Sequence, residues 1–267
     1  MNTWPLIAQH QLLKPLQTRS GSFSLLVTLT VWLLLLWYPI RKSAEAMVNS
    51  GNAASVLNML GLEHLQSWPL PELGAYWALA LYLLPAVTLL SAADVFISDR
   101  KRGSLRFLLL RSSRLELFTG RLLGLCASQL IVLLVTLTGA LMLAAGRLNS
   151  LQVFSDHLPI VMLTALQLLL VTLPFISLML LLSIVLKKTR SATLLAMLIV
   201  GLGESVLLWL GDQLPGADWL VYLIPGVQLS EMINQLPQDC WPQLPIPLMQ
   251  AAFYSACAWF IFRRQAL

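Results

Sequence analysis

Apolar residues run along this chain in blocks of about twenty, separated by shorter polar intervals. Because a helix needs roughly 20 mainly apolar residues to cross the hydrocarbon core of a bilayer, each block is long enough to span a membrane. The predicted spans are 22–40, 74–97, 122–145, 159–186, 191–210 and 244–262. The polar intervals leave no room for a separate soluble domain, so we predict one all-α membrane domain over residues 1–267.

The segment before the first block alternates apolar and polar residues without being long enough to span. Its apolar members are Trp4, Leu6, Ile7, Leu12, Leu13 and Leu16. This pattern predicts an amphipathic N-terminal interfacial helix with its apolar face on lipid, the alternative being a disordered tail. The block that follows exceeds the apolar region of a typical signal peptide, so we expect an uncleaved anchor.

The composition supports a membrane protein. The chain is 58% hydrophobic and only 11% charged, whereas soluble domains carry roughly 25% charged residues. A surface so poor in charge must face an apolar solvent. The net charge of +5 would suit nucleic acid, but a membrane protein should instead collect its cations on one side of the bilayer.

The cations do collect on one side of the six predicted spans. Only Arg41, Lys42 and Arg147 of the 17 Lys and Arg residues fall on the other side. Since positive residues in short loops stay in the cytoplasm, we predict that both termini are cytoplasmic. The protein is then a multi-pass protein of the bacterial inner membrane, with lipid and not nucleic acid around it.

Residues for independent catalysis are missing. His10, His64 and His157 are scattered, the three cysteines show no metal-ligand spacing, and no G-x-x-x-x-G-K-[ST] phosphate-binding loop occurs. We therefore expect no catalytic residue, metal or cofactor in this chain.

The most informative polar interval is Asp99–Arg121, between the second and third spans. Arg102 and Arg106 are four residues apart and would share a helical face, while the interspersed apolar residues would face lipid or a partner. These apolar residues are Leu105, Phe107, Leu108 and Leu109. Ser113 and Glu116 have the spacing of a capping box, which predicts a short helix, a break and a new helix from about Arg114. The surface would dock a cytoplasmic partner, or its arginines would only hold anionic lipid headgroups.

This interval resembles the signature region of ABC-2 type transporter permeases. The residues that carry the resemblance are Asp99, Gly103-Ser104, Leu108-Leu109, Ser113-Arg114, Glu116 and Gly120-Arg121. The departures from the family pattern are chemically mild, such as Asp99 for Glu and Arg121 for Lys. Chain length and span count also resemble the NosY-like and gliding-permease branches.

The resemblance implies a mechanism. Two permeases would pair, as a homodimer or a heterodimer, and two separate ABC ATPase subunits carrying ATP and Mg would dock below them. The helix between spans two and three would be the coupling helix, which transmits ATPase closure to the spans and moves substrate, with export favoured by the family. The residues assigned to coupling are Asp99, Arg102, Gly103, Arg106, Arg111, Arg114, Glu116, Gly120 and Arg121.

Two acidic residues within spans carry further hypotheses. Glu204 lies in the fifth span, where a charge is costly, so it would line a translocation path or subunit interface, or be a neutral hydrogen-bonded side chain. Asp94 is expected to cap a helix or pair with nearby arginines.

Two other functions are compatible with the pattern. The chain could be a membrane scaffold that passes ATPase force to a periplasmic partner held by the outer loops 41–73 and 211–243. A secondary transporter ranks last, because only one mid-span acid and no clear repeat occur. The substrate is left open by the sequence.

Overall fold

The computed structural model describes residues 4–17, 19–44, 67–150, 152–213 and 218–265. These ranges fold into helices and short turns and contain no β-strand. The helices are α1 (Trp4–Gln17), α2 (Arg19–Leu35), α3 (Pro71–Ser91), α4 (Ile97–Arg102), α5 (Ser104–Arg111), α6 (Arg114–Leu148), α7 (Val153–Asp156), α8 (Leu158–Val185), α9 (Thr189–Gln213), α10 (Leu229–Met232) and α11 (Pro245–Arg264). The predicted all-α class is confirmed.

Four stretches of the described chain are long and apolar enough to cross a membrane. They are Pro71–Arg102, Arg114–Leu148, Leu158–Val185 and Trp241–Arg264. The predicted first span lies in α2 and its π-helical extension Leu36–Ile40. The predicted fifth span lies in α9, of which Thr189–Gly203 forms a shorter apolar helix. These two spans stay predictions, as does the orientation of the chain.

Helix α8 lies at the centre of the fold. It is the most buried of the four candidate spans and contacts α3, α6, α9 and α11. Its sequence is apolar on every face, which is typical of a helix surrounded by other helices. The core is therefore organised around α8.

Helix α1 exists as predicted, but one of its faces packs on α6. Gly120 and Gly124 of α6 are one helical turn apart and let the two backbones approach closely. A Cβ atom at Gly120 would lie 2.9 Å from the carbonyl oxygen of Trp4, and one at Gly124 would lie 3.0 Å from that of Ala8. Leu6 of α1 remains exposed, so the helix keeps an apolar surface for lipid.

Residues 218–244, here called the inserted segment, are packed between helices. Near its middle, Gly226 has a positive φ of 107° and lies against Phe175, near the middle of α8. The Ile224 side chain meets Gly203, near the middle of α9. The hydroxyl of Tyr254, near the middle of α11, donates to the Leu223 carbonyl at 2.8 Å. These contacts place the middle of the segment against three helices, while Trp219, Tyr222 and Trp241 keep exposed side chains. The outer side predicted for this loop stays a prediction.

Polar side chains satisfy the irregular backbone of the inserted segment. Gln250 Nε2 donates to the carbonyls of Tyr222 and Ile224, both at 2.8 Å, and Trp77 Nε1 donates to that of Met232 at 3.2 Å. Non-helical backbone at membrane depth needs such partners inside the protein. The segment is therefore part of the bundle.

An ion pair joins α3 and α6 at the end of the bundle opposite the Asp99–Arg121 interval. Arg147 donates to Glu72 through Nε at 2.5 Å and through Nη2 at 3.2 Å. Glu72 is only 2% exposed. This agrees with the prediction that Glu72 and Arg147 lie on the same side.

Candidate functional site

The interval predicted to couple the spans to a partner contains two short helices. Helix α4 ends at Gly103, whose left-handed conformation has φ 71°. Glycine adopts this conformation without the steric cost of a Cβ, which is why it commonly ends helices. Arg102 therefore belongs to α4 and Arg106 to α5. The prediction that these two arginines share one helical face was wrong, because the turn at Gly103 separates them.

The chain breaks after α5 and starts a new helix at Arg114, as the capping box predicted. Ser112 is extended, and α6 begins at Arg114 with a capping box. The Ser113 hydroxyl accepts from the Glu116 amide at 3.2 Å, and the Ser113 amide donates to the Glu116 carboxylate at 3.0 Å. Both bonds satisfy amides that would otherwise lack partners at the helix start. Helix α6 starts eight residues before the apolar block for this reason.

Asp99, in α4, and Arg121, in α6, are paired with each other on the inner side of the interval. Arg121 forms an ion pair with Asp99 and donates to the Val95 carbonyl, and its guanidinium lies 4.7 Å from the centre of the Phe96 ring. Arg121 is buried. Breaking a buried pair is far more destabilising than losing an exposed one. These two side chains hold α4 against α6 and are not part of a docking surface; Gly120 likewise faces α1.

Two arginines bind the interval to the C-terminal ends of α8 and α11 through hydrogen bonds. Arg100 donates to the carbonyls of Ile184 and Leu186, at 2.7 and 3.4 Å, and to Gln265 Oε1 at 3.3 Å. These carbonyls lie at the C-terminal end of α8, where helical partners are missing and cations are favoured. Arg100 was absent from the predicted coupling residues.

Arg114 caps the C-terminal end of α11 in the same way. Its Nη1 donates to the carbonyls of Phe262, Arg263 and Gln265, at 3.1, 2.8 and 2.9 Å. Gln265 also donates to the Ile184 carbonyl at 3.0 Å, so it joins the two capped helix ends. The chain on either side of α5 is thereby anchored to the ends of α8 and α11.

Helix α5 itself presents a surface with apolar and basic side chains. Its members are Arg106, Phe107, Leu110 and Arg111, here called the docking face. Phe107 is 71% and Leu110 is 82% exposed. Neither arginine has an ion-pair or hydrogen-bond partner among the described residues. Arg102 of α4 is exposed nearby.

The other leucines of α5 point the opposite way. Leu105 is buried, and Leu108 and Leu109 pack against the core. The prediction that these three face lipid or a partner was wrong, because the helix turns its 105, 108 and 109 positions inward and its 106, 107, 110 and 111 positions outward.

Of the two acidic residues predicted within spans, the structure describes the side chain of Asp94 but not that of Glu204. Glu204 falls within α9, but its side chain lies outside the part of the chain that the structure describes. Asp94 is exposed and accepts a hydrogen bond from the Thr189 hydroxyl at 3.2 Å. Asp94 thus pairs with the first residue of α9, and the expected pairing with arginine was wrong within the described residues.

Comparison with known proteins supplies the family. A search of curated proteins found no match to this chain. The sequence model of a family described as ABC-2 family transporter protein matches residues 17–210, which include the whole Asp99–Arg121 interval. Because this match covers most of the 267 residues, the chain belongs to the ABC-2 family of transporter proteins, whose members are the membrane components of ABC transporters.

Proposed function

We propose that this chain is the permease subunit of an ABC transporter and couples ATP hydrolysis by a separate ATPase to substrate movement across the bacterial inner membrane. ATP and Mg would bind on the ATPase, since this sequence lacks a phosphate-binding loop. A second copy of the permease would complete the core, and export is the direction that the family resemblance favours.

The observation that carries the proposal is the docking face on α5. Aromatic and arginine side chains dominate the binding energy of protein interfaces, and this face combines both types. It protrudes from a basic end of the bundle, so it would fit an apolar pocket rimmed by acidic groups on the ATPase.

The hydrogen bonds on either side of α5 would let a force on this helix pass to α8 and α11. A switch element transmits motion when it is joined to the moving parts through stiff contacts. Arg100 and Arg114 join the two flanks of α5 to the ends of α8 and α11 through six hydrogen bonds. A displacement of α5 would therefore move α8, the centre of the core.

The test is co-purification of the chain with a candidate ABC ATPase subunit. Wild type is compared with Arg106→Glu/Arg111→Glu on the docking face. Lys187→Glu/Lys188→Glu is the matched control, because it makes the same charge change off that face. We expect wild type and control to retain the ATPase and the docking-face variant to lose it. Equal retention by all three would remove α5 as the contact, and no binding by wild type would remove the ATPase proposal.

The scaffold alternative has less support than transport. It requires outer loops free to hold a periplasmic partner, and residues 223–226 are held against α8, α9 and α11 instead. The remaining outer loop lies largely in 45–66, outside the described residues. Transport of a substrate that follows ATP hydrolysis in reconstituted vesicles would separate the two functions.

A further inference from the structure

A second basic surface shares Lys101 with the interval predicted for coupling but contains no residue of the docking face. It is a cleft of about 520 Å³ between α4 and the turn joining α8 to α9. Its lining residues are Lys101, Lys187, Lys188, Thr189 and Arg190. We call it the basic cleft.

The basic cleft carries an excess of positive charge. All four cationic side chains are exposed, and none has an ion-pair partner among the residues described. Asp99 is already paired with Arg121. The Asp94 carboxylate accepts from the Thr189 hydroxyl and keeps its charge, so it offsets at most one of the four cations. Four like charges around one cleft repel one another, so an anion bound there is favoured.

The surroundings of the cleft indicate which anion. Helix α9 begins at Thr189, and Arg190 starts a row of residues spaced four apart along it. The next members of this row are Leu194, Leu198 and Leu202, which are 62%, 52% and 57% exposed. A cation at the helix start is thus followed by an apolar stripe.

We infer that the basic cleft binds the headgroup phosphate of an anionic phospholipid, with an acyl chain lying along Leu194, Leu198 and Leu202. Basic pockets between membrane helices recognise such headgroups. An acidic protein surface would match the cations but not the adjoining stripe of leucines. The lipid would hold the α8–α9 turn next to Arg100, which caps α8.

The test measures lipid binding to the full chain in detergent, by native mass spectrometry during titration with phosphatidylglycerol or phosphatidylcholine. Each Lys or Arg near an anionic headgroup strengthens binding about five-fold. Lys187→Gln/Lys188→Gln should therefore weaken phosphatidylglycerol binding about 25-fold and leave phosphatidylcholine binding unchanged. Both lysines are exposed in a turn, and thermal unfolding checks that the variant folds.

The matched control is Arg106→Gln/Arg111→Gln, which removes two charges from the docking face and should change phosphatidylglycerol binding less than two-fold. An equal loss in both variants would show general surface attraction and overturn the site. Equal binding of the two lipids to wild type would also overturn it. If the lysine variant keeps the lipid but releases the ATPase, the cleft faces an acidic protein surface instead.

Discussion

Arg114 Nη1 lies 2.9 Å from the carbonyl oxygen of Gln265, so the first residue of α6 is hydrogen-bonded to the residue that follows α11. The start of α6 and the end of α11 are therefore held together and should move together. The same arginine begins the helix that follows the docking face. Its role is to hold α5 in place, whereas Arg106 and Arg111 are available to a partner.

Removal of this anchor should destabilise the protein. Hydrogen bonds to charged groups contribute about 1.5–3 kcal/mol each, and Arg114 is partly exposed, so we expect Arg114→Ala to cost about 2 kcal/mol in total. Thermal unfolding in detergent measures the loss. Arg106→Ala is the matched control and should leave the Tm unchanged. Similar Tm values for both variants would contradict the distinction between anchor and docking face.

The contact between α1 and α6 should be sensitive to one methyl group. In Gly124→Ala the new Cβ would lie 3.0 Å from the backbone oxygen of Ala8 and 2.7 Å from Gln11 Cβ, so α1 has to move away. We expect faster proteolysis between α1 and α2 and a lower Tm. Gly146→Ala, in the same helix, meets nothing within 4 Å and should be neutral or stabilise by up to about 1 kcal/mol.

Phe107 and Leu105 should respond oppositely to truncation. Phe107→Ala removes an exposed aromatic group, so the Tm should stay constant while affinity for the ATPase falls at least 10-fold. Leu105→Ala opens a cavity under α5 and should cost about 2–5 kcal/mol of stability. Binding titrations and unfolding curves on both variants check this. Unchanged ATPase affinity in Phe107→Ala would remove this residue from the interface.

The Glu72–Arg147 pair should show the cost of an unpaired buried charge. Arg147→Met leaves the Glu72 carboxylate buried alone and is expected to cost about 3–5 kcal/mol. Adding Glu72→Gln should recover part of this loss, since the remaining polar group is neutral. Tm values of both single variants and the double variant measure the coupling. Purely additive losses would show that the two side chains act independently.

Gln250 should be required for the position of the inserted segment. Gln250→Leu leaves the carbonyls of Tyr222 and Ile224 without their donor, at about 1–3 kcal/mol for each buried group. Gln243→Leu is the control, because Gln243 lies near the segment end and its side-chain oxygen has no hydrogen-bond partner among the described residues. Hydrogen exchange over 218–232 should accelerate in the first variant only.

Local sequence signals predicted much of this architecture. The apolar blocks located the four candidate spans within a few residues, except that α6 begins earlier. The Ser113/Glu116 capping box was predictable because both its bonds join residues three positions apart. Such features depend only on neighbouring residues.

Features that join distant residues were not predictable. Arg100 and Arg114 cap carbonyls that lie 84 and 149 positions along the chain, and no local pattern indicates which arginine reaches a helix end. The inward face of α5 likewise depends on where the core lies. Residues 218–244 have the proline-rich, acidic composition of a surface loop, and only their contacts show that the middle of the segment packs against three helices.

The packing of residues 218–244 constrains the order of biogenesis. Their carbonyls find donors in Gln250 and Tyr254, which the ribosome adds later. In hydrocarbon, an unpaired carbonyl costs several kcal/mol, so the segment cannot settle between α8 and α9 before α11 has left the translocon beside them. The segment therefore folds into place within the bilayer, after α11 has been inserted.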